Sequence, residues 1–267
     1  MQKSKVHGRI RRLVNIAAMA GLDLRRLVDT STRIPGFLAG LDEYKRSMGH
    51  TQTAFRSLHV YPVLGDASTP AGTGMGHYFH QDLWAARRIH QSRPPHHIDV
   101  GSRIDGFIAH LLTFMPVTVV DIRPLRSDVD GLTFLQADAT DLSSFGDSSI
   151  ESLSSLHAVE HIGLGRYGDR IDPDGCFKCM QALARVLAPR GRLLFGVPIG
   201  RERVEFNAHR VFSPDTVISR FGSYGLQLVS FSAVDDKGFI HPDALIADFH
   251  DAWYSCGLFE FTKPHAR

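Results

Sequence analysis

Short apolar runs that stop at a carboxylate recur through the middle of the chain. His-Ile-Asp-Val runs through Asp99 into Gly101-Ser102-Arg103, Val-Thr-Val-Val stops at Asp121, and Leu-Thr-Phe-Leu-Gln-Ala stops at Asp138. Runs of this length, bounded by turn formers, predict strands buried on both faces. Between the first two, residues 104–114 carry apolar positions at helical spacing and predict a helix. The segment 149–157 predicts a fourth strand, and 174–188 a helix with Ala182, Leu183, Val186 and Leu187 on its apolar stripe. Pro189 to Gly191 predicts a turn into a fifth strand, RLLFGVP. Ser213 is placed to N-cap a helix that closes near Gly222, and LQLVSFSAV predicts strand six. The alternating GLFEFTK near the end predicts a final edge strand. Strands and helices in alternation predict an α/β fold, a Rossmann-like, doubly wound sheet.

Upstream the period is helical. Ile10, Leu13, Val14, Ala17 and Ala18 mark one face within residues 1–50, and Pro35-Gly36 punctuates that region. Residues 61–76 are rich in Gly, Pro, Ser and Thr and predict a loop, and 81–91 predict a helix ended by Pro94-Pro95. The expected organisation is an N-terminal helical extension, 1–60, and an α/β domain, 61–267.

Composition narrows the class. The 267 residues are 43% hydrophobic and 22% charged with a net charge of +2, an ordinary balance for a soluble globular protein. That charge sets up no global field for nucleic acid, and no basic groove with interleaved aromatics is evident. Three cysteines do not make a disulfide framework, so a reducing cytoplasm is the expected location. No apolar run reaches the ~20 residues that cross a bilayer. Lys3, Lys5, Arg9, Arg11 and Arg12 precede the first acid and lead into an apolar run broken by Asn15. This reads as an amphipathic helix that packs on the domain or rests on an anionic membrane surface, rather than a secretion signal.

The candidate chemistry gathers at the strand ends. Gly101 opens the first strand-to-helix turn, where a ligand approaches closely only if side chains are absent. Asp121 ends strand two, where an acid accepts hydrogen bonds from ribose hydroxyls, and Asp138 is placed to accept from an adenine amine. The dinucleotide pattern G-x-G-x-x-G is broken, because Arg103 stands at its second glycine.

The order and spacing of these elements resemble the class I methyltransferases that use S-adenosylmethionine (SAM). So do ARVLAPRGRLLFGVP (184–198) and HRVFSPDTVISRFGSYGLQLV (209–229). Finer stretches resemble one uncharacterised branch, domain of unknown function 268: GHYFHQDLWAARRI, HHIDVGSRIDGFIAHLL, SLSSLHAVEHIGLGRYGDRIDPDG and FNAHRVF. The resemblance implies a seven-stranded methyltransferase sheet with SAM as cofactor. Asp99, Gly101 and Ser102 would line its methionine side, Asp121 its ribose, Asp138 and Ala139 its adenine, and His157 would close the pocket. The family's loop is D-x-G-x-G-x-G, and here Arg103 and Asp105 replace the second and third glycines. Arg103 either pairs with the cofactor carboxylate or fills the site.

Methyl transfer from a sulfonium to a hydroxyl asks for proximity and a base, a role suited to histidine. His161, beside Glu160 after strand four, and His209 are the candidates, with His77 and His80 as further contributors. The expected acceptor is a small molecule or a carbohydrate hydroxyl. Rival readings are a non-catalytic methyltransferase fold kept for binding, a nicotinamide oxidoreductase, and a zinc hydrolase built on His157-Ala-Val-Glu160-His161. The last needs both histidines on one helical face, which the adjoining strand and Gly163 oppose. Cys176 and Cys179 predict helical packing positions, and Asp169, Asp172 and Asp174 do not match a calcium loop, leaving Asp174 as a helix cap. No metal site is expected.

Overall fold

A computed structural model describes residues 24–48, 57–66, 69, 71–72 and 74–265. The basic segment at residues 3–12 and its apolar continuation lie outside these. Two compact units divide between Thr73 and Gly74. In the first, α1 (Leu24–Met48) runs unbroken through Pro35. The expected punctuation at Pro35-Gly36 is therefore absent. The proline removes one amide from the helical ladder, but this stretch is exposed, so water can satisfy the freed carbonyl. The hydroxyls of Ser31 and Thr32 donate to the carbonyls of Val28 and Asp29, both at 2.8 Å. Among the described residues no helix is long and apolar enough to cross a membrane.

The second unit opens with α2 (His77–Ser92), earlier than the periodicity suggests. The parallel strands β1 (His97–Val100), β2 (Val117–Asp121), β3 (Leu132–Gln136) and β4 (Ile150–Leu156) follow, and β5 (Leu187–Ile199) pairs parallel to β4. Between β4 and β5 lies α4 (Gly175–Val186). A hairpin of β6 (Arg203–Glu205) and β7 (His209–Val211) leads to α5 (Pro214–Ser223). The chain then forms β8 (Gln227–Val234), the two-residue β9 (Ile240–His241) and β10 (Ser255–Thr262). The sheet order is β3-β2-β1-β4-β5-β10-β8-β9, so β9 adds an eighth strand to the expected seven.

The last strand is not an edge. β10 inserts antiparallel between β5 and β8. Its alternation fits an edge strand, but Glu260 is buried and bonded to Arg88 (3.2 Å), Arg192 (3.0 Å) and Ser230 (3.2 Å). A carboxylate with three partners can enter a sheet interior that a lone one could not. Helices cover both faces, which is why the central strands read as continuous apolar runs. One core joins α4 and α5 to the sheet around Phe195, Phe221 and Phe259, and the other packs Trp84, Ile89, Phe107, Ile108 and Leu111 on the opposite face. Cys176 and Cys179 are buried in the first of these cores. Ser213 and Asp174 stand at the N-cap positions of α5 and α4, but neither side chain caps its helix. Pro214 presets the start of α5 instead, and the Asp174 carbonyl accepts from Phe177 and Lys178, both at 3.0 Å.

The helix expected at 104–114 is shorter and has two parts. Ile104–Ile108 winds as a π turn, and α3 (Ala109–Leu112) follows. A π turn takes up one residue more than an α turn, which bears on the glycine loop it adjoins.

Candidate functional site

The carboxyl ends of the parallel strands open onto one cavity of about 620 Å³. Gly101, Ser102, Arg103, Asp121, Asp138, Ala139, His157, His161 and His209 all line it. An open α/β sheet presents its ligand crevice in this place, since the loops diverge there and backbone groups are free. Asp99 is not in the lining, and neither are His77 and His80, the further contributors expected from α2.

Asp99 is fully buried beneath the turn and holds it together. Its carboxylate accepts from the Ser102 amide (2.9 Å), the Ser102 hydroxyl (2.6 Å) and the Ser154 hydroxyl (2.5 Å). Burial pushes its pKa up to about 6 despite these bonds. Because Ser154 spends its proton on Asp99, His97 Nε2 donates to Ser154 at 2.8 Å, and Ser152 donates to Nδ1 at 2.7 Å. Burial holds His97 neutral, with a pKa of about 3. No local pattern marks His97, because its partners come from β4, its neighbour in the sheet but distant in the chain.

Gly101 has φ +77, and a Cβ there would stand 2.8 Å from that of Ala158. The turn therefore needs glycine both for its backbone and for its closeness to the loop after β4. Arg103 neither enters the cavity fully nor leaves it. Its guanidinium bonds Asp105 at 2.9 and 3.1 Å and lies 4.7 Å from the Tyr78 ring centre. The two residues that break the glycine pattern thus pair with each other. Glycine returns one position late, at Gly106, where a Cβ would collide with the Asp82 carboxylate on α2. The π turn accommodates that extra position.

Asp121 is engaged too. Arg123 folds back so that its amide (2.8 Å) and Nε (3.0 Å) donate to Oδ1 and its terminal nitrogen (2.6 Å) to Oδ2. A carboxylate has about four acceptor positions, so one remains for a ribose hydroxyl unless Arg123 moves. Arg123 also lies 4.3 Å over Tyr167. Asp138 Oδ1 accepts from the amide and hydroxyl of Thr140, both at 2.8 Å, while Oδ2 has no protein donor among the described residues.

At the far end, His157 leaves β4 with φ +51, a left-handed backbone uncommon outside glycine. Residues Val159–His161 form a single 3-10 turn, so His157 and His161 share no α-helical face. The carbonyl of Ala208 accepts from His161 Nδ1 and from Arg166, each at 2.7 Å. This leaves His161 Nε2 as the acceptor nitrogen, 3.6 Å from Glu160 Oε1. Burial lowers the His161 pKa to about 4 and raises that of Glu160 to about 8. Burial thus favours the uncharged form of both groups, and the buried Oε2 of Glu160 has no hydrogen-bond partner. The buried His209 Nε2 makes no hydrogen bond but lies 3.6 Å from Glu205 Oε2, with its ring 4.9 Å from Tyr254. Asp169 gathers the following loop by accepting from Gly163 (2.7 Å), Gly165 (3.2 Å) and Tyr167 (3.1 Å).

Tyr78, Arg123, Arg166, Tyr167 and Tyr254 also line the cavity, and no local pattern in the sequence marks most of them. Arg123 had a signal, since an arginine two residues past a strand-end acid can fold back onto it. Tyr254 had none: it arrives on the approach to the last strand.

Strand order, the inserted antiparallel strand and a cavity at the parallel strand ends define the class I SAM-dependent methyltransferase fold. Residues 135–237 match the family described as "Caenorhabditis protein of unknown function, DUF268". No curated protein matches the sequence. Among solved structures, the [4+2]-cyclase SpnF aligns with TM-score 0.52 at 12% identity, over 75% of this chain and 91% of its own. A candidate sarcosine dimethylglycine methyltransferase from Galdieria sulphuraria aligns with TM-score 0.52 at 16% identity, over 69% and 86%. The YcgJ protein of Bacillus subtilis aligns with TM-score 0.50 at 15% identity, over 70% and 99%. At these identities the likeness is one of fold.

Proposed function

We propose that the cavity binds SAM and that the protein transfers its methyl group to a small-molecule acceptor, with a carbohydrate hydroxyl as the favoured class. One observation carries this reading: a single cavity collects Gly101, Asp121, Asp138 and Ala139 from successive strand ends and sets His161 and His209 at its other side. Gly101 and the Ser102 turn leave room for the methionine portion, and Arg103 reaches its carboxylate by releasing Asp105. Asp121 takes a ribose hydroxyl, and Asp138 Oδ2 takes the adenine amine. In-line displacement at a sulfonium needs mainly alignment of donor and acceptor. The Glu160–His161 pair and His209 lie where an acceptor hydroxyl would be oriented and relieved of its proton.

Calorimetric titration of the full chain with SAM and with S-adenosylhomocysteine tests the cofactor half. We expect saturable binding, weakened at least about tenfold in Asp121→Ala, which amounts to ~1.4 kcal/mol. An absence of heat and of thermal shift at millimolar cofactor overturns it. The fold also supports a second reading, a binding module that no longer takes SAM. The Arg123 clamp on Asp121 and the Arg103–Asp105 pair favour it. That reading expects Asp121→Ala to leave cellular function intact.

A further inference from the structure

Three metal-ligand side chains meet beside the cavity from remote parts of the chain. His77 is the first residue of α2, His157 follows β4, and Cys256 lies within β10. One ligand atom from each lies within 4.8 Å of the other two. His77 Nδ1 and His157 Nε2 are 3.3 Å apart. Two nitrogens at ~2.0–2.1 Å from one tetrahedral zinc would stand about 3.3 Å from each other. The Cys256 sulfur is 4.0 Å from the other His157 ring nitrogen, Nδ1, and 3.9 Å from the Gly257 carbonyl, contacts too long to be strong bonds for a buried thiol, so it is free to turn to an ion held at Nε2.

The surroundings hold these groups in place. Gly76, just before His77, donates to the Gly238 carbonyl at 3.0 Å, and a Cβ on Gly238 would stand 3.0 Å from the Gly76 nitrogen. Tyr254 stacks on the His77 ring at 5.3 Å, and its backbone lies within hydrogen-bonding reach of that ring. Outer contacts of this kind fix the ring orientation of ligating histidines. His157 is buried and lines the cavity, as does Glu160, whose Oε2 lacks a partner.

We propose that His77, His157 and Cys256 bind one zinc-class divalent cation, leaving a fourth coordination position directed to the cavity. Two imidazoles and a thiolate select zinc or cobalt over magnesium or calcium, which ask for oxygen ligands. Three protein ligands with an open position is the arrangement that allows a metal to hold and polarise an entering hydroxyl or water. The site stands apart from the inverted zinc-protease reading: His161 takes no part, and the ligands come from three elements. It also stands whether or not SAM binds.

Cobalt(II) titration of the chelator-stripped full-length protein tests it. We expect one ion per chain, a thiolate-to-cobalt charge-transfer band in the near ultraviolet, and displacement of that band by zinc. The band disappears in Cys256→Ser, and affinity falls by at least about tenfold in His77→Ala. Should Cys256→Ser not fold, the double variant Cys176→Ser/Cys179→Ser serves in its place and retains the band. The proposal is overturned if no band forms at one equivalent, if it survives Cys256→Ser, or if it vanishes in the double variant.

Discussion

At the scale of single residues, the floor of the cavity rests on a buried polar chain: His97, Ser154, Asp99 and Ser102, ending on the Leu156 amide at 3.0 Å. Its titration has a definite sign. The His97 pKa in the fold, about 3, lies below the ordinary 6.5, so the unfolded chain binds more protons between those values. The stability His97 contributes is complete above 6.5 and is lost as pH falls toward 3. His157, also held near 3 by burial, acts in the same direction. Asp99, raised from 3.8 to about 6, and Glu160, raised from 4.5 to about 8, act oppositely, while His161, lowered to about 4, acts with the other two histidines. The net expectation is a urea midpoint that drops between about pH 7 and pH 5. His97→Gln should flatten that dependence, and an unchanged slope in the variant would assign the effect elsewhere. Gly101→Val is the second residue-scale prediction. With φ +77 and Ala158 2.8 Å from any Cβ, it should cost about 1–3 kcal/mol in thermal denaturation and abolish SAM binding in calorimetry.

At the scale of elements, the loop after β4 decides the geometry of the cavity, and one arginine fastens it. Arg210 on β7 is buried and donates to the carbonyls of Glu160 (3.4 Å), Ile162 (2.6 Å), Asp172 (3.5 Å) and Pro173 (3.2 Å). Those carbonyls lie in a loop whose own ladder is incomplete, so removing the donor leaves buried acceptors unpaired. Arg210→Met should destabilise by about 2–4 kcal/mol in chemical denaturation. It should also open the 163–174 segment to limited proteolysis ahead of global unfolding. A variant cleaved no faster than the parent would show that Asp169 and Gly163 hold the loop without Arg210. The π turn at Ile104–Ile108 is the other element that matters here. It sets a glycine, Gly106, one position past the third glycine of the family's loop and lets α2 approach through Asp82.

At the scale of the whole molecule, ligand binding and stability are coupled, and Arg123 sits on the coupling. If SAM fills the cavity, saturation at 100 times Kd should add ~2.7 kcal/mol of stability. Arg123→Ala should raise SAM affinity several-fold by freeing Asp121, read as a larger thermal shift at equal cofactor; a smaller shift would mean that the guanidinium itself touches the ligand. The sheet and its strand ends were legible in the chain because local patterns encode them, and the candidate residues other than Asp99, His77 and His80 line the cavity there. An apolar run ending at an acid, a glycine at a sharp turn and a helical stripe each depend on near neighbours. Glu260 inside β10 could not be read that way, since its tolerance depends on Arg88 and Arg192 from other elements. Nor could the Arg123 clamp, the burial of Asp99, or the meeting of His77, His157 and Cys256. The sequence by itself determined the class of fold and the position of the cavity. Only the tertiary structure decided which of its polar groups are already engaged, because side chains far apart in the chain become partners when burial removes water as the alternative.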